Sequence, residues 1–175
     1  MKYALTYGLL SGFVIIAVML TGILVSDRDS FFYSMWFGYL VMLVAMTFMF
    51  VGVKRYRDIE LGGVIRFKPA FLMGLGIAVV AALAYILVWE VYLAITDYRF
   101  MDEYIAGIAR AREAEGVSAA AIAKEVAGME WMRVQYKNPL FRIPMTFLEI
   151  FPVGLIVALV SALLLRNPKL LPAAR

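Results

Sequence analysis

The stretch PAFLMGLGIAVVAALAYILVWEVYLAI, from Pro69 to Ile95, decides the fold of this chain. It is longer than the about 20 apolar residues that a helix needs to cross a hydrocarbon core. Its one charged residue is Glu90, in the second half of the run. A run of this length and composition predicts a membrane-spanning helix.

Three other stretches have the same character, at about residues 3–25, 31–53 and 144–165. The 175-residue chain is 64% hydrophobic and only 17% charged, whereas soluble domains are roughly half apolar. Because so few polar residues cannot cover a folded chain, part of its solvent must be lipid. We therefore predict a single all-α domain, residues 1–175, that forms an integral membrane four-helix bundle within the lipid bilayer. The first stretch is too long for the apolar part of a signal peptide, so we expect it to be a retained anchor.

Residues 97–143, between the third and fourth predicted spans, are too many for a simple turn. Gly116 suits the left-handed end of one helix. Ser118 suits the cap of a second helix, which stops before Pro139. These signals predict an extramembrane helical hairpin, either solvated and packed on itself or lying on the outer bilayer surface.

The basic residues are unevenly distributed among the connections, which predicts an orientation in the membrane. The connection after the second span contains five basic and two acidic residues, and the tail after residue 165 contains three basic residues and no acidic one. The seven basic and seven acidic residues of the hairpin cancel. We therefore expect both termini to be cytoplasmic and the hairpin to be periplasmic.

The chain contains no cysteine and no histidine. This composition excludes disulfides, thiolate chemistry, Cys/His zinc sites and histidine haem ligation. The net charge of +4 lies mostly beside the predicted spans, where anionic lipid headgroups explain it better than nucleic acid. We expect no cofactor, no metal site and no nucleic-acid partner.

Two glutamates interrupt the apolar spans. Glu90 lies about six residues before the predicted outer end of the third span, and Glu149 about five residues after the predicted outer start of the fourth. At 1.5 Å per residue, both are expected roughly 8 Å below the outer boundary, on antiparallel neighbouring helices. Arg142, seven residues before Glu149, falls on the same helix face. Since a charge at mid-membrane costs about 2.5–3.5 kcal/mol, we expect these carboxylates to be compensated inside the protein.

Three roles are open for Glu90, Glu149 and Arg142. They suit a structural ion pair that fixes helix packing, a proton or cation site on a transport path, or a catalytic acid–base pair. No nucleophile or cluster of metal ligands accompanies them, so we assign no catalytic residue.

Small residues recur at every fourth position in three of the spans, which predicts close helix–helix packing. These positions are Gly8 and Gly12, then Ala70, Gly74, Ala78 and Ala82, and finally Gly154, Ala158 and Ala162. The pattern leaves open whether the contacts lie within one chain, between copies in a homo-oligomer, or with another membrane protein.

Four segments resemble an uncharacterised bacterial family of integral membrane proteins, the domain-of-unknown-function family forty-one ninety-nine. They are YALTYGLLSG from residue 3, FVGVKRYRD from residue 50, VWEVY from residue 88 and YKNPLFRIPMTFLEIFPVGLIVALVSALLLR from residue 136. The resemblance covers nearly the whole chain, and the hairpin matches least well. It implies a bacterial inner-membrane protein and brings no established activity and no site assignment.

We expect a non-enzymatic inner-membrane protein, a structural or accessory component that self-associates or binds a membrane partner. The alternative is an oligomeric proton- or cation-linked channel or transporter that uses Glu90 and Glu149. A third hypothesis is an enzyme that acts on a lipid or a quinone.

Overall fold

The computed structural model describes residues 1–25 and 35–173, which contain six α-helices and no strand. The predicted all-α class is confirmed. A π-helical turn, Tyr56–Glu60, extends the second helix. Residues 31–34 of the predicted second span lie outside the described part. The helices are α1 (Lys2–Val25), α2 (Met35–Arg55), α3 (Phe67–Ile95), α4 (Phe100–Ala114), α5 (Ala119–Tyr136) and α6 (Pro139–Leu165).

Four of these helices, α1, α2, α3 and α6, are long and apolar enough to cross a membrane. Only 28% to 39% of each apolar window is buried inside the protein, so most residues of these windows remain partly or fully exposed on the bundle surface. Soluble monomers rarely expose contiguous apolar patches larger than a few hundred Å². The four expected apolar helices are therefore present, and their length and outward apolar surface indicate a membrane protein.

The four long helices form a bundle in which α2 and α3 contact each other across the middle. Both also contact α1 on one side and α6 on the other. The start of α1, the end of α2, the start of α3 and the end of α6 meet at one end of the bundle, here called the tail end. The opposite end, which carries α4 and α5, is called the hairpin end.

Small residues bring α3 and α6 close together. A Cβ atom added to Gly154 would lie 2.7 Å from the Cβ of Ala78, and one added to Gly74 would lie 2.9 Å from the Cβ of Ala158. Any larger side chain at either glycine would have to push the helices apart. The other three alanines of the predicted series, Ala70, Ala82 and Ala162, are fully buried.

The start of α1 packs on α3 in the same way. A Cβ atom at Gly8 would lie 2.5 Å from the Cβ of Val80, and one at Gly12 would lie 3.0 Å from the Cβ of Ala84. The four glycines of the predicted series therefore lie at contacts within one chain, between α3 and its two neighbours α1 and α6.

The fourth long helix begins five residues earlier than the sequence suggested, at Pro139 and not at Pro144. The side-chain oxygen of Asn138 accepts a hydrogen bond from the Leu140 N–H at 3.0 Å, which caps the helix. Pro139 occupies the first helical position, where a missing N–H costs little. Residues 139–143, which were assigned to the hairpin, thus belong to α6.

Helices α4 and α5 run antiparallel to each other. Near their turn, Arg112 and Glu125 are 3.1 Å apart, and at the far end Arg133 and Asp102 are also 3.1 Å apart. Between these ion pairs, Ile105 is buried. The hydrogen bond from Arg133 lowers the pKa of the Glu130 carboxyl, because it stabilises the charged form.

Candidate functional site

A buried ion pair joins α3 to α6 near the hairpin end. The Nε atom of Arg142 donates to Oε1 of Glu90 at 2.7 Å, and its Nη2 atom donates to Oε2 at 2.5 Å. The Arg142 side chain is 2% exposed and that of Glu90 is 24% exposed. Two parallel, charge-assisted hydrogen bonds are the strongest way for a guanidinium to hold a carboxylate. Both oxygens of Glu90 are therefore engaged by one arginine.

Arg142 also binds the end of α5. Its Nη1 atom donates to the main-chain carbonyl of Tyr136 at 2.7 Å and to that of Lys137 at 3.3 Å. The last carbonyls of a helix lack helical partners and carry partial negative charge, so they suit a cation. Through this one side chain, α3, α5 and α6 are connected.

The turn between α3 and α4 packs over the same arginine. The guanidinium carbon of Arg142 lies 5.1 Å from the ring centroid of Tyr98, within cation–π range. Tyr98 and its neighbour Asp97 have φ angles of 55° and 54°, a left-handed conformation that costs energy for residues other than glycine. The Tyr98 N–H donates to the carbonyl of Leu93 at 2.8 Å, which helps hold this turn over Arg142.

An aromatic cluster beside the ion pair links the hairpin to α3. The indole N–H of Trp89 donates to the Tyr136 hydroxyl at 2.9 Å. The Trp89 ring centroid also lies 4.8 Å from that of Phe100 in an edge-to-face arrangement, a favoured aromatic geometry. Burial raises the pKa of the Tyr136 hydroxyl to about 12, so this hydroxyl stays protonated at neutral pH.

Glu149 is not part of the Glu90–Arg142 ion pair, although its charge contributes to the raised pKa of the Tyr136 hydroxyl. The same register that places Gly154 against Ala78 places Arg142 against Glu90, and Glu149 is seven positions farther along α6. At 1.5 Å per residue it lies about 10 Å deeper in the bundle than Arg142. The sequence predicted equal depths for Glu90 and Glu149. That prediction differs from this arrangement because it placed the start of the fourth helix at Pro144.

Glu149 is exposed on the side of the bundle. Among the described residues, its carboxylate has no hydrogen-bond or ion-pair partner. The structure thus brings Glu90 and Arg142 together and leaves Glu149 on the outer surface of a span.

A second buried arginine organises the tail end. Arg57, in the π-helical turn, is 0% exposed. Its Nη1 atom donates to the Leu170 carbonyl at 3.1 Å, and its Nη2 atom donates to the Leu171 carbonyl. Its Nε atom donates to Asp58 at 2.6 Å, and Lys54 binds the other oxygen of this carboxylate at 2.5 Å. The tail is therefore fixed to the end of α2.

Glu60 connects the start of α1 to the same turn. Its Oε1 atom accepts from the Tyr3 hydroxyl at 3.0 Å and lies 3.0 Å from Nζ of Lys2. In the sequence, Arg57, Asp58 and Glu60 are recognisable only as charges of a basic connection. The i, i+4 spacing of Lys54 and Asp58 was a readable signal, whereas nothing local in the sequence indicated the contact of Arg57 with the tail.

The family model described as Protein of unknown function (DUF4199) matches residues 6–167. The chain belongs to this family. No curated protein and no solved structure matches the chain. The stretch matched by the DUF4199 model contains Glu90, Arg142, Glu149 and Arg57, and the family description adds no activity to them.

Proposed function

We propose that this DUF4199 protein is a non-enzymatic component of a bacterial inner membrane, structural or accessory in role, and that it self-associates through the face of α6 that carries Glu149. The observation that supports this most directly is the exposure of Glu149 on the side of a membrane-spanning helix, without a partner among the described residues. A second copy of the chain would supply the missing partner.

The Glu149 carboxyl group would lie in the hydrocarbon region of the membrane. A charged side chain in the hydrocarbon region costs on the order of 2.5–3.5 kcal/mol. At a symmetric contact between two copies, the two Glu149 side chains would meet, and a pair of carboxyl groups can share one proton in a hydrogen bond. Hydrogen bonds between spanning helices contribute about 0.6–2 kcal/mol each. The contact would therefore replace lipid around Glu149 with a hydrogen-bonding partner.

The Glu90–Arg142 pair supports a structural role at the hairpin end. Both carboxylate oxygens and two main-chain carbonyls are bound by one guanidinium, which supports an ion pair that fixes helix packing. A buried pair of this geometry favours one arrangement of the helices over others. It would hold α5 and α6 in fixed positions as a frame for the hairpin.

The charge distribution supports both termini being cytoplasmic and the hairpin periplasmic. Within the described residues, the tail end carries eight basic and two acidic side chains, and cytoplasmic segments of membrane proteins carry an excess of lysine and arginine. The basic residues are Lys2, Lys54, Arg55, Arg57, Arg66, Lys68, Arg166 and Lys169, and the acidic ones are Asp58 and Glu60.

Self-association is tested with donor- and acceptor-labelled protein in lipid vesicles, by energy transfer measured over a range of protein-to-lipid ratios. We expect the wild type to associate and Glu149→Leu to weaken association about threefold to thirtyfold, the equivalent of one interhelical hydrogen bond. Glu113→Gln is the matched control, because it removes an exposed carboxylate from α4. It should leave association unchanged.

A photo-crosslinking residue placed at Leu148, which is 65% exposed and adjacent to Glu149, identifies the neighbour in native membranes. An adduct of twice the chain mass supports self-association. Adducts with only a different protein, or wild-type protein that stays monomeric at every density, would overturn the proposal.

A further inference from the structure

The tail end contains a groove that the proposed function does not use. A groove of about 210 Å³ lies between the first two turns of α1 and the end of α2. It is lined by Lys2, Tyr3, Thr6, Tyr7, Arg55 and Ile59. These six residues are called the basic groove below. Its volume is smaller than the roughly 300–1,000 Å³ of sites for drug-sized ligands, so it suits a small group.

The polar groups of the basic groove point to an anion. The exposed guanidinium of Arg55 has no hydrogen-bond or ion-pair partner among the described residues. The ammonium of Lys2, whose side chain is 74% exposed, is 3.0 Å from Glu60. That contact leaves two of the three ammonium donors for another acceptor. With one carboxylate against two cations, the groove keeps a net positive charge.

Neutral donors complete the lining. The Tyr3 hydroxyl already donates to Glu60, whereas the Tyr7 and Thr6 hydroxyls have no hydrogen-bond partner among the residues that the structure describes. The Tyr7 ring lies against Gly52 of α2, where an added Cβ would be 2.7 Å from its Cγ atom. Gly52 thus lets Tyr7 sit deep between the two helices and form the floor of the groove.

The apolar surroundings distinguish a lipid from a free ion. Ile59, in the wall of the groove, is 64% exposed, and Leu5 and Leu9 on the same helix as Thr6 are 50% and 54% exposed. A cationic groove at the end of two spanning helices, beside side chains that face the acyl region, has the layout of a headgroup site. We propose that the basic groove binds the phosphate of an anionic phospholipid, with its acyl chains lying along α1 and α2.

The proposal is tested on full-length protein in mild detergent by native mass spectrometry, with phosphatidylglycerol or phosphatidylcholine added at equal concentrations. We expect the wild type to retain phosphatidylglycerol preferentially. Arg55→Gln should weaken its binding about fivefold, the contribution of one basic residue at an anionic membrane surface. Tyr7→Phe keeps the ring that packs on Gly52 and should also weaken binding, which covers the case in which Arg55→Gln does not fold.

Arg66→Gln is the matched control, since Arg66 is exposed at the same end of the bundle but does not line the groove. It should leave lipid binding within about twofold of the wild type. Equal retention of the two lipids, or equal losses from Arg66→Gln and Arg55→Gln, would overturn the proposal. Displacement of the lipid by the same concentration of inorganic phosphate would assign the groove to a free anion. Glu149 does not line the groove, so the outcome is independent of self-association through that residue.

Discussion

Arg142 and Arg57 are both almost fully buried, and each guanidinium binds two main-chain carbonyls and one carboxylate. A guanidinium has five N–H donors in a fixed plane. It can therefore donate hydrogen bonds to several main-chain carbonyls that have no donor within a helix. At the hairpin end these acceptors are the last carbonyls of α5, and at the tail end they are carbonyls of the C-terminal tail. Lysine, with a compact ammonium group, cannot reproduce either arrangement.

The first prediction concerns the ion pair of Arg142. Glu90→Gln leaves a buried guanidinium without its counter-charge, and removing one member of a buried pair typically costs 3–5 kcal/mol. Because the Glu90 side chain is 24% exposed, we expect about 3 kcal/mol, the lower limit. The free energy of unfolding, measured by denaturant titration in mixed micelles, checks this value.

Two comparisons make the measurement specific. Glu90→Leu combined with Arg142→Leu should be less destabilising than Glu90→Gln alone, because no charge is then left buried. Glu113→Gln, at an exposed position of α4, should change the stability by less than about 0.5 kcal/mol. If Glu90→Gln behaves like Glu113→Gln, the ion pair does not hold α3 to α6.

At the residue level, the sequence singled out Glu90, Arg142 and Glu149 because charges inside apolar runs are conspicuous. What it could not supply was the register between α3 and α6, which decides the partner of each charge. An error of five residues in the start of one helix moved Glu149 by more than a helical turn in depth. The binding of the tail by Arg57 joins positions more than one hundred residues apart, which no local pattern encodes.

The long helices were predictable, because runs of more than 20 apolar residues have few alternatives to a membrane span. Their ends were less so: α6 begins where Asn138 supplies a cap and Pro139 a suitable first residue, although Pro144 also looked like a start. Small residues spaced by four identified the contacting faces of α1, α3 and α6. The spacing did not indicate which helices these faces contact, and only the structure of the bundle shows this.

The second prediction concerns the contact between α3 and α6. Gly154→Ala places a Cβ atom 2.7 Å from the Cβ of Ala78, so the helices must separate or shift. Overpacking of this kind costs about 1–3 kcal/mol. Thermal unfolding in detergent should show a lower Tm than that of the wild type.

Gly38→Ala is the matched control for this substitution. Gly38 is in α2, and an added Cβ meets no atom within 4 Å. Replacing a helical glycine with alanine removes an entropic cost of roughly 0.5–1 kcal/mol, so Gly38→Ala should leave the Tm unchanged or raise it. A Gly154→Ala protein as stable as Gly38→Ala would contradict the close contact of α3 with α6.

At the level of the whole molecule, the two ends of the bundle differ in chemistry. The tail end combines an excess of basic side chains with the Arg57 network and the basic groove. The hairpin end has equal numbers of basic and acidic residues between positions 97 and 143, and several of them form ion pairs across α4 and α5. This asymmetry predicts a single orientation in the membrane.

The third prediction tests this orientation directly. Since the chain has no cysteine, a single introduced thiol can be labelled without background. Glu113→Cys, in α4, should react with a membrane-impermeant maleimide added to intact spheroplasts, whereas Lys169→Cys, in the exposed tail, should react only after permeabilisation. The unmodified protein, which should not react in either condition, is the control.

Because lysine and arginine resist translocation far more than aspartate and glutamate do, replacing exposed Arg55, Arg66 and Lys68 with glutamine should yield a fraction with the opposite labelling. Labelling of Lys169→Cys in intact spheroplasts of the otherwise unaltered chain would show that the tail end faces outward, and that the excess of basic residues there does not set the orientation.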